Sequence, residues 1–190
     1  MTDTSEFEAF MRRHQDMVYS VALRILAREA DAADVSQEVF LRAHARFAEL
    51  RDNERAPGWL KTVTRNLCLN HLERYRARWR FFSELDNADT GEPFSASLPA
   101  PVADSSAHDV EARRALLERA LQSLPAHQRV PLVLYHFEEL SYEDIAQQLR
   151  VSLGKVKTDI HRGRDALSRV LQLSAEGELT TRRDTLSTPT

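Results

Sequence analysis

One cysteine, five glycines and the lack of any long apolar run set the first limits on this sequence. Cys68 alone cannot close an internal disulfide, so a reducing, cytoplasmic setting is expected. No stretch approaches the roughly 20 apolar residues needed to cross a bilayer, so membrane insertion is not expected. The opening MTDTSEFEAF is acidic and has no apolar signal core, which argues against export. Glycine forms no phosphate-cradling loop, which removes nucleotide hydrolysis. The seven histidines (His14, His44, His71, His108, His127, His136 and His161) are scattered, with no HExxH pair and no second cysteine for zinc. Cys68 sits in an apolar helical stretch and reads as a core residue rather than a nucleophile. No catalytic residue, metal site or cofactor is expected, and the chain does not read as an enzyme.

The chain is rich in charge and helix-forming residues. Charged residues make up 29% and hydrophobic residues 42% of 190, which suits a soluble helical protein of one or two domains. The net charge is only −3, but its signs are segregated. Trp59–Phe82 carries Lys61, Arg65, Arg74, Arg76, Arg78 and Arg80 against the single acid Glu73. Ser83–Glu111 carries seven acids and no Lys or Arg. Within the second stretch, GEPFSASLPAPVADSSAHD sets three prolines among Ser and Ala, a composition that favours an extended, mobile tether. The expected organisation is therefore all-α: a helical domain at 1–82, a flexible acidic Pro/Ser-rich linker at 83–110 and a second helical domain at 111–173. The Ser/Thr-rich segment 174–190 reads as a disordered tail.

Apolar periodicity places the helices. Phe7, Phe10, Met11, Val18, Val21 and Ile25 form one stripe, and Val39, Ala43 and Phe47 another. Asp34, Gln37, Glu38 and Leu41 share the face opposite the second stripe, either a docking surface or an ordinary solvated face. Pro57-Gly58 breaks the chain before a helix over Trp59–Tyr75, with Leu60, Val63 and Leu67 as its apolar face. In the second block Leu117, Ala120, Leu121 and Leu124 lead to Pro125, and Pro131 requires the next helix to start only a few residues before it.

The densest signal is LSYEDIAQQLRVSLGKVKTDIHRGRDAL. Ser141 followed by Asp144 is a capping-box start, Arg150-Val151 a turn, and Ser152 a second N-cap. Ile145, Ala146 and Leu149 supply the inner face of the first helix. Val156, Ile160, Gly163 and Leu167 supply that of the second. Ser152, Lys155, Lys157, Thr158, His161, Arg162 and Arg164 occupy the outer face and shoulders of the second helix. This is helix-turn-helix grammar, in which the second helix enters the major groove and flanking cations hold phosphates. A merely solvated basic helix would explain the charges but not the caps and turn around them.

Three ordered motifs carry a family resemblance: DAADVSQEVFLRAH (31–44), PGWLKTVTRNLCLNHLERYRAR (57–78) and LPAHQRVPLVLYHFEELSYEDIAQQLRVSLGKVKTDIHRGRDAL (124–167). Together they resemble the two domains of the bacterial sigma-70 family in its short extracytoplasmic-function (ECF) subgroup. The resemblance implies a sigma factor that binds core RNA polymerase, directs it to promoter DNA and helps open the duplex. Asp34, Gln37, Glu38 and Leu41 would then dock the coiled coil of the polymerase largest subunit. Lys61, Thr62, Arg65, Asn66, Asn70 and Arg74 would contact the minus-ten strand during melting, with the loop 51–56 and Asn66 capturing an extruded base. Trp59 reads equally as a stacking platform or a buried anchor. The helix-turn-helix would read the minus-thirty-five element. The acidic linker would serve either as a polyanion mimic in polymerase channels or as a plain spacer. An anti-sigma factor or other inhibitor is an expected partner.

The sequence departs from the family's pattern at Lys155 and Asp159, where relatives favour a small hydroxyl residue and a base, and at Gly163, which often corresponds to Ala. Lys155 and Asp159 stand four apart and are placed to pair. Two other readings remain at this stage: a free-standing helix-turn-helix regulator that binds duplex DNA without polymerase, and a helical adaptor that binds proteins only.

Overall fold

The structure is a computed structural model that describes residues 2–74 and 107–185. Among those residues there are eight helices and no strand, so the fold class is all-α as expected. The chain divides into two compact units, one within residues 1–90 and one within 91–190.

The first unit contains α1 (Thr2–Leu26), α2 (Glu29–Ala45), the single turn α3 (Phe47–Leu50) and α4 (Ala56–Arg74). α1 packs on both α2 and α4, and α2 packs on α4. Phe10, Val18, Val21 and Ile25 of the expected α1 stripe are buried, and Val35, Val39, Phe40 and Ala43 meet them from α2. Ala27 takes the left-handed conformation (φ 54°) after α1. Its N–H still reaches Leu23 O at 2.8 Å, so the chain turns tightly into α2. The stripe expected to continue through Phe47 is buried there, although α2 itself stops at Ala45 and Phe47 opens α3. Edge-on contacts of Phe47 with Phe7 (5.2 Å) and Phe10 (5.6 Å) hold that turn against the start of α1.

α4 differs from expectation in two ways. Pro57 and Gly58 do not break the chain ahead of the helix but lie in its first turn. The first-turn N–H groups have no intrahelical acceptor, so proline forfeits no hydrogen bond there. The buried face is Ala56, Leu60, Thr64 and Cys68, four residues apart, whereas Val63 and Leu67 are only half-buried. Thr64 enters the core because its hydroxyl donates back to Leu60 O at 2.7 Å, which leaves no buried donor unsatisfied.

The second unit contains α5 (Ala107–Ser123), α6 (Ala126–His136), α7 (Tyr142–Leu149) and α8 (Leu153–Thr185). α8 packs on α5, α6 and α7, and α6 packs on α7. α6 begins five residues before Pro131, so the proline lies inside the helix, past the first turn, where it has no N–H to donate. Arg129 is buried and its Nη1 donates to Leu124 O at 2.6 Å, tying the end of α5 to α6. Burial lowers its pKa to about 10, so it stays charged at neutral pH.

The boundaries shift at both ends of this unit. Residues 83–106 of the expected linker, with 75–82 before them, lie outside the described residues, while 107–110 belong to α5. The segment expected to be disordered from 174 is instead helical as far as Thr185. Ala, Glu, Leu and Arg in SAEGELTTRRDT are good helix formers, and propagation from an existing helix avoids the nucleation cost.

Candidate functional site

In the second unit, α7 and α8 form a helix-turn-helix in which both N-termini and the turn between the helices are capped. Ser141 Oγ accepts from Asp144 N at 3.1 Å and donates to the Asp144 carboxylate at 2.7 Å. Arg150 adopts the left-handed conformation (φ 54°) after α7, and Val151 N–H returns to Ala146 O at 3.1 Å. Ser152 Oγ then accepts from Lys155 N at 3.2 Å. Ile145, Val156, Ile160 and Leu167 are buried as expected, while Ala146 and Leu149 are only partly so. Gly163 is buried against α6, where a Cβ would stand 3.1 Å from Gln128 O.

The basic residues of α8 are not equivalent. Ser152, Lys157 and Thr158 are exposed; Lys155, His161, Arg162 and Arg164 are half-buried. Lys155 Nζ lies 3.2 Å from the carboxylate of Asp159, a residue only 6% exposed. Burial pushes the Asp159 carboxyl up from its ordinary value, and Lys155, His127 and Arg162 oppose that shift. His161 Nδ1 lies 3.0 Å from Asp165. Arg164 Nε donates to His136 Nε2 at 3.1 Å, and its guanidinium stands 5.4 Å from the centre of the Tyr135 ring. Burial, with the Arg164 charge in support, lowers the His136 pKa and favours the neutral imidazole that accepts this bond. Tyr135 in turn stacks on Tyr142 at 4.7 Å. Apolar period could not reveal that α6 holds Arg164. The i,i+4 spacings of Lys155–Asp159 and His161–Asp165 are legible in the sequence, whereas the hold of α6 on Arg164 is not.

Two surfaces of the first unit carry the remaining candidates. On α2, Asp34, Gln37 and Leu41 are exposed and share a face with the half-buried Glu38. Leu41 is 67% exposed, which singles it out as a large apolar side chain left in solvent. Glu38 accepts from Arg42 Nε at 2.8 Å on the same helix. On α4, Lys61, Thr62, Asn66, Asn70 and Arg74 are exposed, and Arg65 is half-buried with Nε lacking a hydrogen-bond partner. Thr62 Oγ1 donates to Gly58 O at 3.0 Å. The Arg46 guanidinium lies 5.8 Å from the Trp59 ring centre, so a cation covers this half-buried aromatic. In the loop before α4, Asn53 Oδ1 accepts from Arg55 N at 2.9 Å, and Arg51 Nη1 lies 3.3 Å from Glu6.

Residues 10–79, spanning most of α1 to α4, match Sigma-70 region 2, and residues 114–167, spanning the helix-turn-helix, match Sigma-70, region 4. The chain belongs to the sigma-70 family. Its relatives place this sigma factor in the ECF subgroup. It is 36% identical over 163 residues to the ECF RNA polymerase sigma factor SigE of Mycolicibacterium smegmatis, covering 85% of this chain and 60% of that protein's length. It is 33% identical to the RNA polymerase sigma-E factor of Streptomyces coelicolor, over 85% of this chain and 84% of the relative. With the ECF sigma factor SigW of Bacillus subtilis it shares 26% identity, over 90% and 91% of the two chains. A free-standing regulator lacks a reason to carry region 2, so that reading is not favoured, nor is a protein-only adaptor. No helix among the described residues of the sigma factor is long and apolar enough to cross a membrane.

Proposed function

We propose that the sigma factor divides its work between three surfaces. The α2 face of Asp34, Gln37, Glu38 and Leu41 docks the polymerase largest subunit. The α4 face of Lys61, Thr62, Arg65, Asn66, Asn70 and Arg74 holds the opened minus-ten strand. The outer face of α8, through Ser152, Lys157, Thr158, His161, Arg162 and Arg164, meets the minus-thirty-five duplex, with Lys155 on its shoulder paired to Asp159. The protein is an initiation factor without catalytic chemistry of its own and acts in the cytoplasm. An inhibitor of the anti-sigma type, covering the basic surfaces until a signal arrives, is the natural regulator of such an arrangement.

The observation that carries this reading is Leu41, 67% exposed beside Asp34, Gln37 and Glu38. A leucine with Asp34, Gln37 and Glu38 beside it suits a partner helix that offers an apolar position next to basic and hydrogen-bonding side chains. Its burial would contribute about 1.5–3 kcal/mol, and the acids would set the register. On α4, exposed cations and amides share one surface, as single-strand binding requires. With Arg46 over its ring, Trp59 serves better as a fixed anchor than as an open stacking platform.

Run-off transcription tests the assignment, using core polymerase and DNA from just upstream of the protein's own operon. A discrete transcript that requires the protein and disappears with Asp34→Lys/Glu38→Lys is the expected result. A transcript undiminished by that double reversal would remove the α2 face from polymerase binding.

A further inference from the structure

Among the described side chains of the proposed DNA-facing helix, the most buried charged one is an acid. Asp159 is 6% exposed, on the edge between the core face of Val156 and Ile160 and the outer face of α8. Its carboxylate holds Lys155 Nζ at 3.2 Å, four residues earlier, and the two charges cancel within that turn. The other cations acting on it are His127, from the first turn of α6, and Arg162, from α8 itself. A buried carboxylate in that setting does not readily give up its closest cation, because pulling Lys155 away would leave a desolvated charge with weaker compensation.

We infer that Asp159 is a positioning residue that withdraws Lys155 from the phosphate backbone, so that Lys155 adds nothing to sequence-independent DNA binding. This deepens the assignment of α8 to duplex DNA and rests on it. Each Lys or Arg that neutralises a phosphate releases condensed counterions and strengthens binding to every sequence alike. Arg164 is held by His136 and Tyr135, and His161 lies against Asp165, so Lys157 is the fully exposed cation within residues 153–168 of the helix. Pinning Lys155 therefore lowers the affinity of α8 for non-promoter DNA and leaves discrimination to contacts with base edges. The raised pKa of Asp159 reports the burial of its carboxyl, which Lys155, His127 and Arg162 offset only in part, so the placement of Lys155 rests on the 3.2 Å contact.

The test is the salt dependence of full-length protein binding to a short mixed-sequence duplex, read by fluorescence anisotropy from about 50 to about 200 mM salt. Asp159→Asn, nearly isosteric, frees Lys155 and is expected to steepen the slope of log affinity against log salt by about 0.9. Lys155→Ala leaves the slope unchanged, and the double variant returns to the wild-type slope. Lys157→Ala flattens it by about 0.9 and reports whether α8 faces DNA at all. Thermal melts of each variant confirm folding; a misfolded Asp159→Asn is replaced by Asp159→Ser, for which the same steepening is expected. If Lys157→Ala flattens the slope while Lys155→Ala also flattens it and Asp159→Asn does not steepen it, Lys155 already holds a phosphate and the pin is refuted. If no substitution on α8 alters binding, or the wild type does not bind the duplex, the DNA-facing assignment falls and takes the pin with it.

Discussion

At Gly163 the last helix passes so close to α6 that a Cβ would stand 3.1 Å from Gln128 O and 3.5 Å from Gln128 Cβ. Read in the sequence alone, this glycine is a liability, since it costs about 1 kcal/mol against alanine in a helix interior. In the fold it is where α8 and the first turn of α6 approach, and the propensity loss is exchanged for close packing. Alanine would regain the propensity but push against a backbone carbonyl, so the two effects offset each other. A β-branched side chain has no such balance. Gly163→Val is expected to destabilise the second unit by about 1–3 kcal/mol, measured as a lower urea midpoint at unchanged m-value. Thr64 and Asp159 teach the same point from the polar side: both are buried, and neither could be assigned to a core by hydrophobic pattern. Their burial depends on a hydroxyl reaching Leu60 O and on a lysine four residues away, which are matters of contact rather than composition.

The elements most legible in the sequence were those whose ends are fixed locally. Ser141, Asp144, Arg150 and Ser152 marked both caps and the turn of the helix-turn-helix, because capping involves residues within one turn of each other. The face of α4 was read in part: Leu60 and Cys68 are buried as expected, but the stripe runs on through Ala56 and Thr64 while Val63 and Leu67 are only half-buried, a rotation set by what α1 and α2 present. The reach of α8 was underestimated because a Ser/Thr-rich composition hides a helix that only needs to continue. Arg150 shows a local rule broken. The position after α7 is left-handed at φ 54°, where a residue with a Cβ is strained by about 1–2 kcal/mol. Glycine has no such penalty. Arg150→Gly is expected to stabilise the second unit by about 1 kcal/mol, seen as a rise in Tm, with the α7–α8 hydrogen bonds intact by amide exchange. A fall in Tm would mean that the arginine's electrostatic contacts outweigh the backbone strain.

Over the whole molecule, a net charge of −3 conceals surfaces of opposite purpose: an acid-flanked leucine on α2 and cations on α4 and α8. The two compact units each complete their own core, α1 with α2 and α4 in one and α8 with α5, α6 and α7 in the other. Under the proposed assignment, polymerase docking and duplex reading therefore belong to separate units and should fail separately. Leu41→Arg removes an apolar contact worth about 1.5–3 kcal/mol, so core polymerase should bind at least about tenfold more weakly. Duplex binding by the free protein, which depends on α8, should keep its affinity and salt slope. Lys157→Ala/Arg162→Ala should do the reverse: weaker duplex binding with a flatter slope, and polymerase affinity within about twofold of wild type. Combining the two sets should add their free energies, because substitutions that share no partner group are independent. A Leu41→Arg protein that binds polymerase normally would refute the docking role of α2. One that loses duplex binding while keeping its fold would instead show that the units do not act independently, and that the acid-flanked face of the first governs the DNA helix of the second.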